Sequence, residues 1–387
     1  MSGPLAGLRV LDLTSVVMGP YATQVLGDLG ADILKVEPPE GDVMRQAGPM
    51  RNPKMGHLYL TTNRNKRSVV LNLKTDPDRR AFLKLAETSD ILVYNIRPKA
   101  MARLGLSYED VKAINPSIIY VGAIGFSQNG PYADRPAYDD LIQGMAGIPW
   151  LSMQSGATFP RYAPFVMADR MVGLQVAVAI LAAVNYRNKT GKGQSVEVPM
   201  FESLVSVILG EHLAGKLFEP AIGPIGYQRS IAKNRRPYRT SDGYICTMVY
   251  SDKHWKNFLT GIGKPELFEA GSMFSSQGAR LENIDAVYGY LSDLLETKST
   301  SEWMEFFVSA DIPASPMNSM DDILNDEHLN SIGFFETITH PSEGKMINIA
   351  VPSRWSESQP TEFRHAPQIG EHTHEVLAED EPAESNT

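Results

Sequence analysis

An α/β fold with a largely parallel sheet is predicted for this 387-residue chain. Two patterns predict it. Short apolar runs alternate with helical segments through the first half of the chain, as they do where strands and helices pack in layers. The stretch 163–203 then holds a long run without a polar face, followed by a segment with the period of a strand. A helix that is apolar all round is buried rather than lying on a surface.

In chain order, 8–13 is a short apolar strand, and Gly19-Pro20 opens a helical stretch to about Gly30. Residues 32–36 and 69–73 are the second and third strands, and 76–88 is a helix. A strand at 91–94, a helix at 108–114 and a β-branched strand at 118–124 follow. The apolar run 171–184 is the buried helix. It ends in Tyr186-Arg187-Asn188-Lys189-Thr190-Gly191, with basic residues in the last turn and glycine beyond, as helix C-termini prefer. Ser195-Val196-Glu197-Val198 alternates as a strand. Ligands of such sheets sit beyond the C-terminal strand ends, which here are 14–18, Glu37, 95–97 and Gly125 onward. Glycine, proline and basic residues break the pattern over 220–238, as in a linker or functional loop. A strand at 244–249 and helices at 252–261, 281–296 and 301–310 predict a smaller second domain. Strands at 334–339 and 345–350 close the fold, and 379–387 is an acidic tail expected to be disordered.

Composition sets outer bounds. The chain is 43% hydrophobic and 21% charged, ordinary for a soluble globular protein. A net charge of −9 argues against non-specific nucleic-acid binding. The single cysteine, Cys246, excludes an intrachain disulfide and suggests a reducing, cytoplasmic setting. No signal peptide is evident in MSGPLAGLRVLDL. The best candidate for a membrane span is the run after Asp169, which at fewer than about 18 residues suits a core helix instead.

Most familiar motifs are missing. No G-x-G-x-x-G follows the first strand and no G-x-x-x-x-G-K-[ST] occurs, which disfavours an NAD-dependent oxidoreductase. His372-Thr373-His374 lacks the partners of a metal site, and no metal is expected. No G-x-S-x-G elbow is present. Basic residues are more suggestive. Lys66 and Arg67 precede a strand, and Lys74, Arg97, Arg103 and Arg135 fall at or after strand ends; they are either solvated surface charges or a polyphosphate site. Asp169, at the mouth of the buried helix, is either an N-cap or a nucleophile.

The ordered set of short segments resembles the family III coenzyme A transferases, the group of formyl-CoA:oxalate and crotonobetainyl-CoA:carnitine CoA-transferases. The segments are Leu5-Ala6-Gly7-Leu8-Arg9-Val10-Leu11-Asp12, Gly27-Asp28-Leu29-Gly30-Ala31-Asp32, Lys35-Val36-Glu37 and Asn65-Lys66-Arg67-Ser68. Asn95-Ile96-Arg97-Pro98, Gln128-Asn129-Gly130-Pro131-Tyr132, Thr190-Gly191-Lys192-Gly193-Gln194 and Gly370-Glu371-His372-Thr373 continue it. The resemblance implies a Rossmann-like large domain over 1–220 and 320–387, an inserted smaller α+β domain over 221–319, and a homodimer of interlocked rings. It implies transfer of CoA from an acyl-CoA to a free carboxylic acid, with acyl-CoA and a small acid as substrates and no permanently bound cofactor. The family's nucleophilic aspartate matches Asp169. Its CoA-contacting positions match Val16, Leu71, Lys74, Asn95, Arg97 and Arg103, and, across loops of variable length, Arg135 and Tyr138.

Three departures bear on specificity. The glycine run of formyl-CoA transferases is absent from 226–240, which reads GYQRSIAKNRRPYRT. An adenine-stacking arginine of some members is Pro38 here. The α-methylacyl-CoA racemases of the same fold carry Gly-His-Asp where this chain has Ala137-Tyr138-Asp139, so racemisation is the alternative reading and lacks its histidine.

Overall fold

The computed structural model describes residues 2–379, which form two compact units. Among the described residues, the first takes in 2–146, 163–206 and 333–379, and the second 147–162 and 207–332.

The first unit is built on six parallel strands. These are β1 (Arg9–Leu13), β2 (Asp32–Glu37), β3 (Lys66–Val70), β4 (Ile91–Tyr94), β5 (Ile119–Ile124) and β6 (Gln194–Pro199). Their order is β3-β2-β1-β4-β5-β6, the doubly wound arrangement with its switch point between β1 and β4. Val10, Leu11, Ile33, Leu34, Leu92, Val93, Ile119 and Val121 are all sealed from solvent. That burial on both faces explains why these strands read as continuous apolar runs. The third strand lies at 66–70 rather than 69–73, because its first residues are charged and polar and still pair with β2.

The central helix spans Met167–Thr190, longer than the 171–184 expected. Polar residues at both ends of the apolar run continue the helix, and Gly191 ends it at φ 72°. Its 24 residues are long and apolar enough to cross a membrane, and half of its most apolar stretch is buried inside the protein. Gly173 permits its close crossing with helix Met18–Asp28: a Cβ there would stand 2.8 Å from the carbonyl oxygen of Met18.

The second unit carries a small antiparallel sheet of β7 (Tyr238–Arg239), β8 (Tyr244–Thr247) and β9 (Ala314–Pro316). Helices Asp252–Gly261, Ile284–Leu295 and Thr300–Ser309 pack on it around Trp255, Phe258, Trp303 and Phe307. The helix expected over 281–296 is two, Gln277–Glu282 and Ile284–Leu295, because Asn283 leaves helical geometry at φ −115° and ψ 25°.

The chain then returns to the first unit with a hairpin of β10 (Phe335–His340) and β11 (Gly344–Ile349). Its last described stretch closes on the edge strand β3. Gly370 donates to Ser68 Oγ at 2.9 Å, and Val70 donates to Thr373 Oγ1 at 3.0 Å. Glu379, expected in a disordered tail, ends helix Thr373–Glu379 and pairs with Arg67 at 2.7 Å. The rest of the acidic tail, 380–387, lies outside the described residues.

Candidate active site

A cavity of about 290 Å³ opens at the switch point of the large sheet. Its walls are the segments just beyond β1 (Ser15, Val16), β4 (Asn95 to Pro98) and β5 (Ile124, Gly125), closed by Arg135, Tyr138, Asp139 and Asp169. This is the crevice where open α/β sheets bind ligands, since the chains leave β1 and β4 in opposite directions there. Asn95 laces its two sides together: it accepts from the Ser15 N–H at 3.1 Å and donates to the Ser15 carbonyl at 2.7 Å.

Val16 carries the backbone strain of the site. Its φ is 72°, a left-handed conformation that a β-branched residue rarely adopts. The Asp42 carboxylate holds it there, accepting the Val16 N–H at 3.2 Å. Asp42 is fixed in turn by the Lys35 ammonium at 2.9 Å, both side chains being fully buried. Next to them Arg45 grips Glu37 through two hydrogen bonds at 2.6 and 2.7 Å. On the other flank of β1, Asp12 accepts from Thr14, Thr23 and Lys66 at 2.5–3.0 Å. Burial outweighs the neighbouring carboxylates at Lys66 and brings its ammonium down to about 8.

Asp169 lies in the first turn of the central helix, two residues inside its start at Met167, so it is not the N-cap. Its side chain is 9% exposed and lines the cavity. Burial, and then repulsion from Asp139, push its carboxyl up to about 7; Arg170 opposes them weakly. Arg170 is turned over the ring of Tyr21, its guanidinium carbon 4.5 Å from the ring centre. Asp139 is itself held by Gln143 at 2.5 Å, and Gln143 accepts the Ala163 N–H at 2.9 Å. The site therefore contains one carboxylate fixed by hydrogen bonds and one left poorly solvated.

The structure gathers Val16, Asn95, Arg97, Arg135 and Tyr138 around the cavity with Asp169. Arg135 stacks on Tyr132 at 3.8 Å and is exposed. Leu71, Lys74 and Arg103 lie off the cavity. Leu71 packs into the core just beyond β3, Lys74 is exposed three residues later, and Arg103 is exposed at the end of helix Pro98–Arg103. Sequence reasoning missed Asp139 and Asp42 as parts of the site. Asp139 stands in the segment compared with the Gly-His-Asp of the racemases, whose shared aspartate was the available signal. Charged Lys35 and Glu37 inside an apolar strand were the signal for the buried network.

A family model of CoA-transferase family III matches residues 5–373. The chain is 32% identical to succinyl-CoA:glutarate CoA-transferase of Homo sapiens, over 97% of this chain and 86% of that one. It is 31% identical to succinyl-CoA:mesaconate CoA-transferase of Haloarcula hispanica, over 97% and 96% respectively. The crystal structure of a CAIB/BAIF family protein from Brucella suis superposes with a TM-score of 0.82 at 29% identity, covering 98% of this chain and all of the other. With the family model spanning nearly the whole chain and the doubly wound fold shared, the protein is an enzyme of CoA-transferase family III.

Proposed function

We propose that the enzyme moves CoA from an acyl-CoA thioester to a free carboxylic acid, with Asp169 as the covalent carrier. The observation that carries this reading is the burial of the Asp169 carboxylate in the switch-point cavity, where its ionised form lacks the hydration that blunts a carboxylate in water. Asp169 attacks the thioester carbonyl, forming an aspartyl–acyl anhydride and expelling CoA thiolate. The thiolate attacks the aspartyl carbonyl, giving an aspartyl-CoA thioester and releasing the donor acid. The acceptor carboxylate then attacks that thioester, and the returning thiolate attacks the acceptor's carbonyl in the new anhydride, which frees Asp169 and yields the new acyl-CoA. Thioester bonds are exchanged one for one, so the scheme needs neither a metal nor a resident cofactor.

CoA is assigned to Val16, Asn95, Arg97, Arg135 and Tyr138 at the cavity. Leu71, Lys74 and Arg103, beyond the C-terminal ends of β3 and β4, are assigned to its nucleotide end. The names of the relatives, which pair succinyl-CoA with glutarate, mesaconate or L-malate, support succinyl-CoA or a similar dicarboxylyl-CoA as donor and a four- or five-carbon diacid as acceptor. Racemisation lacks support because Tyr138 stands where the racemases carry histidine. We further propose an interlocked homodimer in the cytoplasm, with an inserted smaller domain, acting on no nucleic acid or membrane. Support for the dimer comes from Leu174 and Val178, one turn apart on the central helix and exposed in the single chain. The reaction is tested by incubating acyl-CoA with an isotope-labelled free acid and following new acyl-CoA by mass spectrometry. Exchange lost in Asp169→Asn is the expected outcome; undiminished exchange in that variant removes Asp169 from the scheme.

A further inference from the structure

The second unit holds a cavity of about 310 Å³ of its own, and three guanidiniums line it: Arg229, Arg235 and Arg236. They belong to a run, 229–239, with five cations and no carboxylate. No acidic residue lines the cavity, and among the described residues none of the three arginines pairs with a carboxylate. Arg229 instead faces the ring of Tyr250 at 5.5 Å and the Met248 sulfur at 4.0 Å. All three lie near enough to the buried Tyr238 hydroxyl to act on its ionisation. Like charges converging on one hollow repel each other, and that cost is offset when an anion enters.

The rest of the lining decides which anion. Val249, Leu291, Met248 and Tyr288 give the hollow an apolar part of its lining beside the charges. Inorganic phosphate has no apolar part to place there. A short diacid does: its methylenes cover the apolar lining, and its carboxylates meet the planar forks of the guanidiniums in pairs. We propose that this cavity binds a small dicarboxylate of four or five carbons. The proposal rests on the CoA-transfer reading only in taking its ligand from the class of acids named there. Binding in the second unit requires no acyl transfer and is tested without it.

Cys246 lines the same cavity, is half-buried, and is the chain's only cysteine, so it reports occupancy directly. The experiment follows alkylation of Cys246 by iodoacetamide in the full-length protein without CoA, alongside calorimetric titration of succinate. Succinate is expected to slow alkylation at least about five-fold, propionate and inorganic phosphate little. In the Arg235→Ala/Arg236→Ala double variant, succinate affinity is expected to fall at least about ten-fold, the order of one charged contact. Both arginines are exposed, so the variant keeps its fold. Equal protection by phosphate makes this a phosphoanion site, and equal protection by propionate makes the second carboxylate irrelevant; either overturns the proposal. Succinate affinity unchanged in the double variant overturns it as well. Absence of CoA transfer in the parent enzyme, with succinate binding intact, counts against the Asp169 scheme alone.

Discussion

The backbone N–H of Asp169 donates to Oδ1 of Asp139 at 2.9 Å, so two carboxylates meet at one corner of the switch-point cavity. Only one of them accepts this hydrogen bond. The bond fixes Asp139 and leaves its charge beside Asp169, which raises the proton affinity of the second carboxyl. A carboxylate that is hard to ionise attacks readily once ionised, so this pairing has consequences for rate and stability.

The rate is expected to rise with pH. In the proposed scheme only the ionised Asp169 attacks a thioester, and its carboxyl is pushed up to about 7. A plot of kcat/KM for acyl-CoA should climb through that value and level off above it, since this parameter reports the free enzyme. Asp139→Asn keeps an oxygen for the Asp169 N–H and removes the repulsion, so its inflection should move to lower pH. A profile flat from about pH 5 upward contradicts the assignment.

Stability is expected to move the other way. Folded Asp169 holds its proton to about 7, whereas the unfolded group releases it near 3.8. Between those values the folded chain binds more protons, so stability falls as pH rises, and the full cost stands above about 7. That cost is up to about 4 kcal/mol. Asp169→Asn should therefore melt higher than the parent at about pH 8 and lose that advantage below about pH 4. Thermal melts of the unliganded protein across this range check it.

Asp42→Ala is expected to destabilise the fold by about 3–5 kcal/mol, because it strands the fully buried Lys35 ammonium. It also frees the Val16 N–H and with it the strained turn beneath the cavity. Denaturant titration measures the first effect, and a raised KM for acyl-CoA the second. A loss under about 1 kcal/mol would mean that Lys35 finds another partner.

Gly173→Leu should break the crossing of helices Met18–Asp28 and Met167–Thr190, since even a Cβ meets the Met18 carbonyl at 2.8 Å. The overpacking costs at least about 1–3 kcal/mol. A crystal structure or melt of the variant indistinguishable from the parent would contradict this packing.

Much of the sheet was legible because its strands are buried on both faces: 91–94 and 118–124 are unbroken apolar runs that periodicity finds. Where charge enters a strand the same signal fails, which is why β3 was expected three residues late. Helix Asp139–Met145 is only seven residues long and opens on two aspartates, too short for its apolar residues to show a period, and Asp139 went unread as a neighbour of Asp169. The two aspartates stand 30 residues apart, and only the fold brings them together. Residues just beyond the two strands at the switch point fared better, whereas Leu71, just beyond the edge strand β3, packs into the core. Val16, Asn95 and Arg97 follow β1 and β4 directly, so their convergence follows from strand order alone. Lys74 and Arg103 stand further along their connections, where strand order no longer fixes a side chain's position.

In the proposed scheme the Asp169 carbonyl becomes activated during turnover. Hydroxylamine added during turnover of acyl-CoA with a free acid should intercept that carbonyl, and peptide mass spectrometry locates the product. A hydroxamate is expected on the peptide containing Asp169, formed only when acyl-CoA is present and absent from Asp169→Asn, with exchange lost by at least about 1,000-fold in that variant. An unlabelled Asp169 peptide in the active parent enzyme, together with full exchange by Asp169→Asn, would contradict the scheme.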